Sequence, residues 1–174
     1  MAAEPSRVLV ALRVPADPTV AFRAFTEEID SWWRPSGLFP FSPGRSGKLD
    51  FEGGVGGRLV ERYEDGTLVE IGRIRLWEPP RRLALSWRQA GFEADQTTDV
   101  EVRFDDVGAG RRPETRVTVE HRGWDGIPQA SVARHGMALP VIQLRLAEWW
   151  QAQLGALSGV VGRRSPGDPD GGSR

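Results

Sequence analysis

Glu61, Glu70 and His121 are the side chains whose type and spacing could do chemistry in this chain. The two glutamates flank Asp65-Gly66, a dipeptide that commonly closes a two-residue hairpin. With such a turn, Glu61 stands opposite Glu70, Tyr63 opposite Leu68, and Leu59 opposite Gly72. The two carboxylates then lie about 5 Å apart on one face of the sheet. Like charges so close oppose each other, and burial raises the pKa of at least one. Such a pair can act as an acid/base couple or hold a cation. It can equally sit solvated, or paired with arginine, near the end of a sheet. His121 ends an alternating run with Val117 and Val119, which turns it toward the apolar side. There an imidazole serves either as general acid/base or as a core residue bonded to backbone.

No familiar catalytic constellation accompanies these candidates. The stretch Glu52-Gly-Gly-Val-Gly-Gly-Arg58 is rich enough in glycine to cradle a phosphate, but no Lys-Ser/Thr pair follows it. The next residues have the pattern of a strand, whereas a phosphate loop needs a helix N-terminus. The stretch therefore reads as a bend between strands. No dinucleotide fingerprint, nucleophile elbow or Ser-His-Asp order occurs, and no cofactor is expected. Cysteine is absent, and His121 and His135 stand far apart without a supporting cluster, so no metal site is expected. A net charge of −1, with Lys48 the sole lysine, leaves no electrostatic footprint for nucleic acid. The apolar runs are too short to span a bilayer, and the first residues lack a signal-peptide pattern. The expectation is a cytoplasmic protein, monomeric or homodimeric.

The unusual count is seven tryptophans against one tyrosine. Each indole is bulky and carries one N–H that needs a partner when buried. Trp87 shares its face with Leu83 and Leu85, and Trp149 and Trp150 straddle the apolar stripe of a helix. Together with Trp32, Trp33, Phe39, Phe41, Tyr63 and Trp124, these rings can line a cavity for a flat apolar ligand. Val102, Val119 and Leu146 complete the apolar wall. Glu61 and His121 are its polar anchors.

The elements that would position these residues follow in a simple order. Residues 6–14 alternate as a strand. Asp17 and Pro18 cap and open a helix over 18–28, and a second short helix covers 29–33. Residues 34–45 hold three prolines and two glycines and read as loop. Strands follow at 48–51, 58–64, 67–77, 82–87, 98–105 and 115–121. On the strand pair at 58–77, alternation turns Glu61, Tyr63, Glu70, Ile74 and Leu76 inward. It turns Val60, Ile71 and Trp77 outward. The pattern turns helical after Gly126 and is broken once by Pro140, which fits a first helical position, and Leu139, Ile142, Leu146, Trp149, Trp150, Leu154 and Leu157 fall on one helical face. Residues 1–5 read as a flexible N-terminus, 6–157 as one domain, and 158–174 as a disordered tail. One long amphipathic helix against one large antiparallel sheet makes a two-layer α+β domain.

Five segments in this order resemble a known family. They are "AFRAFTEEIDSWW" (21–33), "GGRLVERYEDG" (56–66), "GRIRLWEPPRRLALSW" (72–87), "VEVRF" (100–104) and "VEHRGWD" (119–125). The resemblance is to the activator-of-Hsp90-ATPase-homologue-like branch of the START-related helix-grip superfamily. It implies a seven-stranded antiparallel sheet wrapped around the C-terminal helix, with an internal apolar cavity. The function then expected is non-catalytic binding of a small hydrophobic or aromatic ligand. One alternative is a polyketide cyclase or hydrolase type of enzyme using the pocket carboxylates and His121. The other is an interaction module resembling a chaperone regulator.

Overall fold

In a computed structural model, residues 6–110 and 112–164 are described. The expectations for residues 1–5 and for 165–174 lie outside them. The chain runs β1 (Arg7–Val14), α1 (Pro18–Thr26), α2 (Ile29–Trp32), then β2 (Lys48–Phe51), β3 (Arg58–Arg62), β4 (Leu68–Glu78), β5 (Arg82–Trp87), β6 (Thr98–Asp106) and β7 (Thr115–Arg122). Two short 3-10 turns, Trp124–Gly126 and Val132–Arg134, lead into α3 (Leu139–Gly162). The strands form one antiparallel sheet in the order β1-β7-β6-β5-β4-β3-β2. This is the helix-grip α+β architecture expected from the sequence.

Local chemistry explains the helices. Asp17 accepts the Val20 N–H at 2.9 Å through its side chain, and Pro18 opens α1. In α3 the buried residues Ile142, Leu146, Trp149, Trp150, Leu154 and Leu157 recur at helical spacing. The stripe continues through Val160 and Val161, both buried, so the helix persists to Gly162. This corrects the expected start of the tail at residue 158. Burial of two valines outweighs the helix-weakening effect of nearby glycines, because tertiary packing dominates propensity.

The β3–β4 hairpin departs from the sequence reading in an instructive way. Gly66 donates its N–H to Tyr63 O at 3.0 Å, and Tyr63 donates to Thr67 O at 2.9 Å. The loop is therefore three residues, Glu64-Asp65-Gly66, with Gly66 at φ 84°. A three-residue loop ending in a left-handed glycine is the common alternative to the two-residue turn. One extra loop residue moves the register by one. Glu61 consequently faces Val69, and Glu70 faces Val60. The expected pairing of Glu61 with Glu70 does not form, and the register puts them on opposite faces.

Two bulges then re-sort the inner face of β4. The register shifts between Leu59 and Val60, opposite Ile71, and again between Ile74 and Leu76. Each bulge moves the following side chains to the other face. Ile71 and Val60 are thus fully buried, contrary to the outward placement expected from alternation. Trp77, also expected outside, pairs with Leu83 and packs edge-on against Phe22 at 5.2 Å.

The bulge region requires Gly72 for space. A Cβ there would lie 1.6 Å from the Ser86 carbonyl oxygen on β5. Gly72→Ala must therefore push two strands apart, at a cost of roughly 1–3 kcal/mol. Thermal unfolding should show a fall of about 2–4 °C per kcal/mol. An unchanged Tm would mean that the two strands are not held this closely.

Candidate functional site: an indole-packed interior and its rim cleft

The sheet and α3 bring most of the expected lining residues into one cluster. The Trp33 ring lies 5.4 Å from Trp149, 5.8 Å from Trp150, 6.0 Å from Trp87 and 5.9 Å from Phe41. Trp87 lies 5.5 Å from Trp150 and 5.6 Å from Phe41. Phe39 bridges Trp149 at 5.2 Å and Trp124 at 5.9 Å. These are contact distances for tilted and edge-to-face rings. The rings expected to line a cavity pack against one another.

The other expected lining residues divide by role. Val102 and Val119 are cross-strand partners in the fully buried core, and Leu146 is buried on α3. Trp32 is buried and donates its Nε1–H to Ala24 O at 2.8 Å, which joins α2 to α1. Glu70 is partly exposed and has the Arg73 guanidinium 3.1 Å away.

His121 sits at the centre of the polar part of this interior, only 1% exposed. Trp150 Nε1 lies 3.1 Å from its Nδ1, Trp124 Nε1 lies 3.3 Å from its Nε2, and Thr98 Oγ1 lies 2.8 Å from Nε2. A neutral imidazole offers one in-plane lone pair. The closer indole, Trp150, takes it at Nδ1, and the Nε2–H turns to Thr98 Oγ1. The Thr98 hydroxyl passes on to Trp87 O at 3.0 Å. A second proton on the ring would face an indole N–H with no acceptor. Burial alone pushes the His121 pKa down to about 3. No carboxylate bonds to it among the described residues. His121 thereby links the sheet to the helix through its two ring nitrogens. His135 follows the Val132–Arg134 turn at φ 50° and donates Nε2–H to Leu38 O at 2.6 Å.

The segment between α2 and β2 carries Phe39 and Phe41 into the cluster. It is held mainly through its backbone. Gln153 on α3 accepts the Arg34 N–H at 2.9 Å and donates to Arg34 O at 2.7 Å. Gln89 Nε2 donates to Phe39 O at 3.2 Å, and the Ala90 N–H to Pro40 O at 3.0 Å. Sequence reasoning missed Gln153 and Gln89. Gln153 was legible as the one amide inside the apolar stripe of α3. Gln89 lay in a segment without periodicity.

Beside this segment a cleft of about 50 Å³ opens at the rim of the domain. Trp33, Phe39, Phe41, Glu61 and Asp30 line it, with Arg45, Ser46 and Gly47 at its edge. Glu61 is 5% exposed and accepts a hydrogen bond from Tyr63 Oη. Burial, then the bond to Glu61, raises the Tyr63 pKa. The Arg45 guanidinium stacks 3.6 Å over the Tyr63 ring and reaches Asp65 Oδ2 at 3.4 Å. Three buried polar atoms, Trp87 Nε1, Trp149 Nε1 and Gln89 Oε1, lack a hydrogen-bond partner among the described residues. No described group of three His, Cys, Asp or Glu residues could hold a metal ion. No described helix is long and apolar enough to cross a membrane.

The His121 environment sets a pH dependence. The folded state binds the proton only near pH 3, whereas the ordinary value is 6.5. Between these values the unfolded chain holds the proton and the folded chain does not. Stability is therefore complete above the ordinary value and falls as pH drops, by at most about 1.4 kcal/mol per unit. Urea titrations should show this slope in the wild type and a flatter one in His121→Gln. A second outcome separates the neighbouring indoles. Trp150→Phe removes the donor to His121, whereas Trp149→Phe removes an N–H that has no partner. The first should cost roughly 1–3 kcal/mol more than the second by denaturant unfolding. Equal losses would contradict the assigned hydrogen bond.

Comparison with solved structures returns the same fold. A protein from Mesorhizobium loti, MLL2253, superposes with a TM-score of 0.62 at 19% identity, covering 92% of this chain and 99% of that one. An Hsp90 activator from Plasmodium falciparum, PFC0360w, gives 0.57 at 20% identity, covering 90% and 96%. DynU16, a protein of the dynemicin biosynthetic locus, gives 0.60 at 18% identity, covering 92% of this chain and 48% of its own. At these identities the likeness is one of fold. No curated protein matches the chain in sequence. The family model for activator of Hsp90 ATPase homolog 1-like proteins matches residues 15–162. With that match spanning nearly the whole folded region, the chain belongs to the activator of Hsp90 ATPase homolog 1-like family.

Proposed function

We propose that this protein binds a small apolar or aromatic molecule that carries a hydrogen-bond acceptor. The observation that supports this most directly is the pair of unpartnered indole N–H groups on Trp87 and Trp149. A buried donor without a partner costs about 1–3 kcal/mol. Both sit directly behind the inner wall of the rim cleft, against Trp33, Phe39 and Phe41. Gln89 Oε1, also unpartnered, adds an acceptor at the segment that carries the two phenylalanines. A ligand that displaces Phe39 or Phe41 gains the aromatic surface and satisfies the indoles together. The segment is attached by a few backbone hydrogen bonds and by the burial of Phe39 and Phe41, so the ligand must replace the contacts of the ring that it displaces.

The alternatives have less to stand on. The cyclase or hydrolase reading couples the pocket carboxylates with His121, and the hydrogen-bond neighbours of His121 are Thr98, Trp124 and Trp150. The chaperone-regulator reading rests on the family description and on the Plasmodium structure.

A thermal-shift panel of aryl ketones, quinones and phenols tests the proposal. A true ligand at a hundred times its Kd should stabilise by about 2.7 kcal/mol and raise Tm accordingly. It should also change the indole fluorescence. Phe41→Ala should lower the Tm of the free protein and tighten binding, because the plug is removed. A panel that shifts neither the wild type nor Phe41→Ala would sink the reading.

A further inference from the structure

The fold buries two glutamates and treats them in opposite ways. Glu120, 4% exposed, lies within 3.3 Å of Arg7 and 2.5 Å of Arg122. Burial would raise its pKa, but the hydrogen bonds and charge of the two arginines outweigh this and hold it low. Glu61 is equally buried, yet no Lys, Arg or His nitrogen among the described residues lies within ion-pair distance of it. Its partner is the neutral Tyr63 hydroxyl. Arg45, the nearest cation at the cleft, is committed to the Tyr63 ring face and to Asp65. A buried carboxylate without a cation is costly, and its usual compensation is a paired charge.

We propose that the rim cleft is a receptor for a primary ammonium group on an apolar stem, with Glu61 as its counter-ion. Tyr63 fixes one carboxylate oxygen and leaves the group to face the cleft. Trp33, Phe39 and Phe41 supply aromatic walls, and aromatic rings attract cations as well as alkyl chains. Asp30 adds a second negative charge at the mouth. One water needs roughly 10–15 Å³ measured in this way. The cleft of about 50 Å³ therefore admits an ammonium and a few methylenes with no ring displaced. The inference deepens the binding role proposed above by naming the charged end of the ligand. It shares that role's cleft, but its head-group test does not need the interior to open.

Calorimetric titration with n-butylammonium and phenethylammonium, against n-butanol and phenethyl alcohol, tests it. A charge-assisted hydrogen bond is lost on going from amine to alcohol, so the amines should bind at least about tenfold more tightly. Glu61→Gln keeps an acceptor for Tyr63 and should reduce each amine to the affinity of its alcohol, leaving the alcohols unchanged. Asp30→Asn, at an exposed position that cannot unfold the domain, should weaken the amines by a smaller factor. Equal affinities of amine and alcohol would overturn the proposal, as would amine binding unaffected in both variants. The absence of amine binding at millimolar concentration would overturn it too. Binding of n-butylammonium alongside an inert arene panel would keep the ammonium site and remove the interior role. Arene binding with no preference for amines would do the reverse.

Discussion

The hydrogen bond from the Trp150 indole to His121 Nδ1 joins the long helix to the inner face of the sheet. It is made between two fully buried side chains. The helix cannot rotate about its axis without breaking it, and Trp149 is set beside it by the same constraint, 5.0 Å away. Trp33 and Trp87 then complete a packed group of four indoles. The neutrality of His121 is part of the same arrangement, because a charged ring would oppose both neighbouring indoles.

That arrangement has an uneven polar balance. Trp150 is satisfied, while Trp87 and Trp149 bring their N–H groups into the same interior and find nothing to donate to. Apolar residues of the same volume would avoid that cost. Indoles retained here make physical sense if an acceptor enters at some stage of function. The segment carrying Phe39 and Phe41 packs against both of these indoles. It is anchored by Gln153, Gln89, Ala90 and His135, each through a backbone group of that segment.

The β3–β4 hairpin decides what the cleft can be. Its three-residue loop separates Glu61 from Glu70 and removes the carboxylate couple that a two-residue turn would have made. Glu61 is left buried beside Tyr63 at the mouth of an aromatic cleft. The bulge at Ile71 restores the earlier register, so the central strands still present their apolar faces to α3.

Sequence alone determined the order of the elements, the antiparallel sheet, the helix carrying Trp149 and Trp150, and the membership of Trp33, Phe39, Phe41, Trp87 and Trp124 in one aromatic interior. These follow from periodicity, turn residues and a family resemblance, all of which are local or additive along the chain. Tertiary structure decided the register of β3 against β4, the inward turn of Ile71 and Trp77, the neutrality of His121 and the persistence of α3 past residue 158. A one-residue change in a loop or a bulge leaves the composition untouched and inverts every face beyond it. A proton affinity or a partner for an indole depends on groups that folding brings from distant parts of the chain.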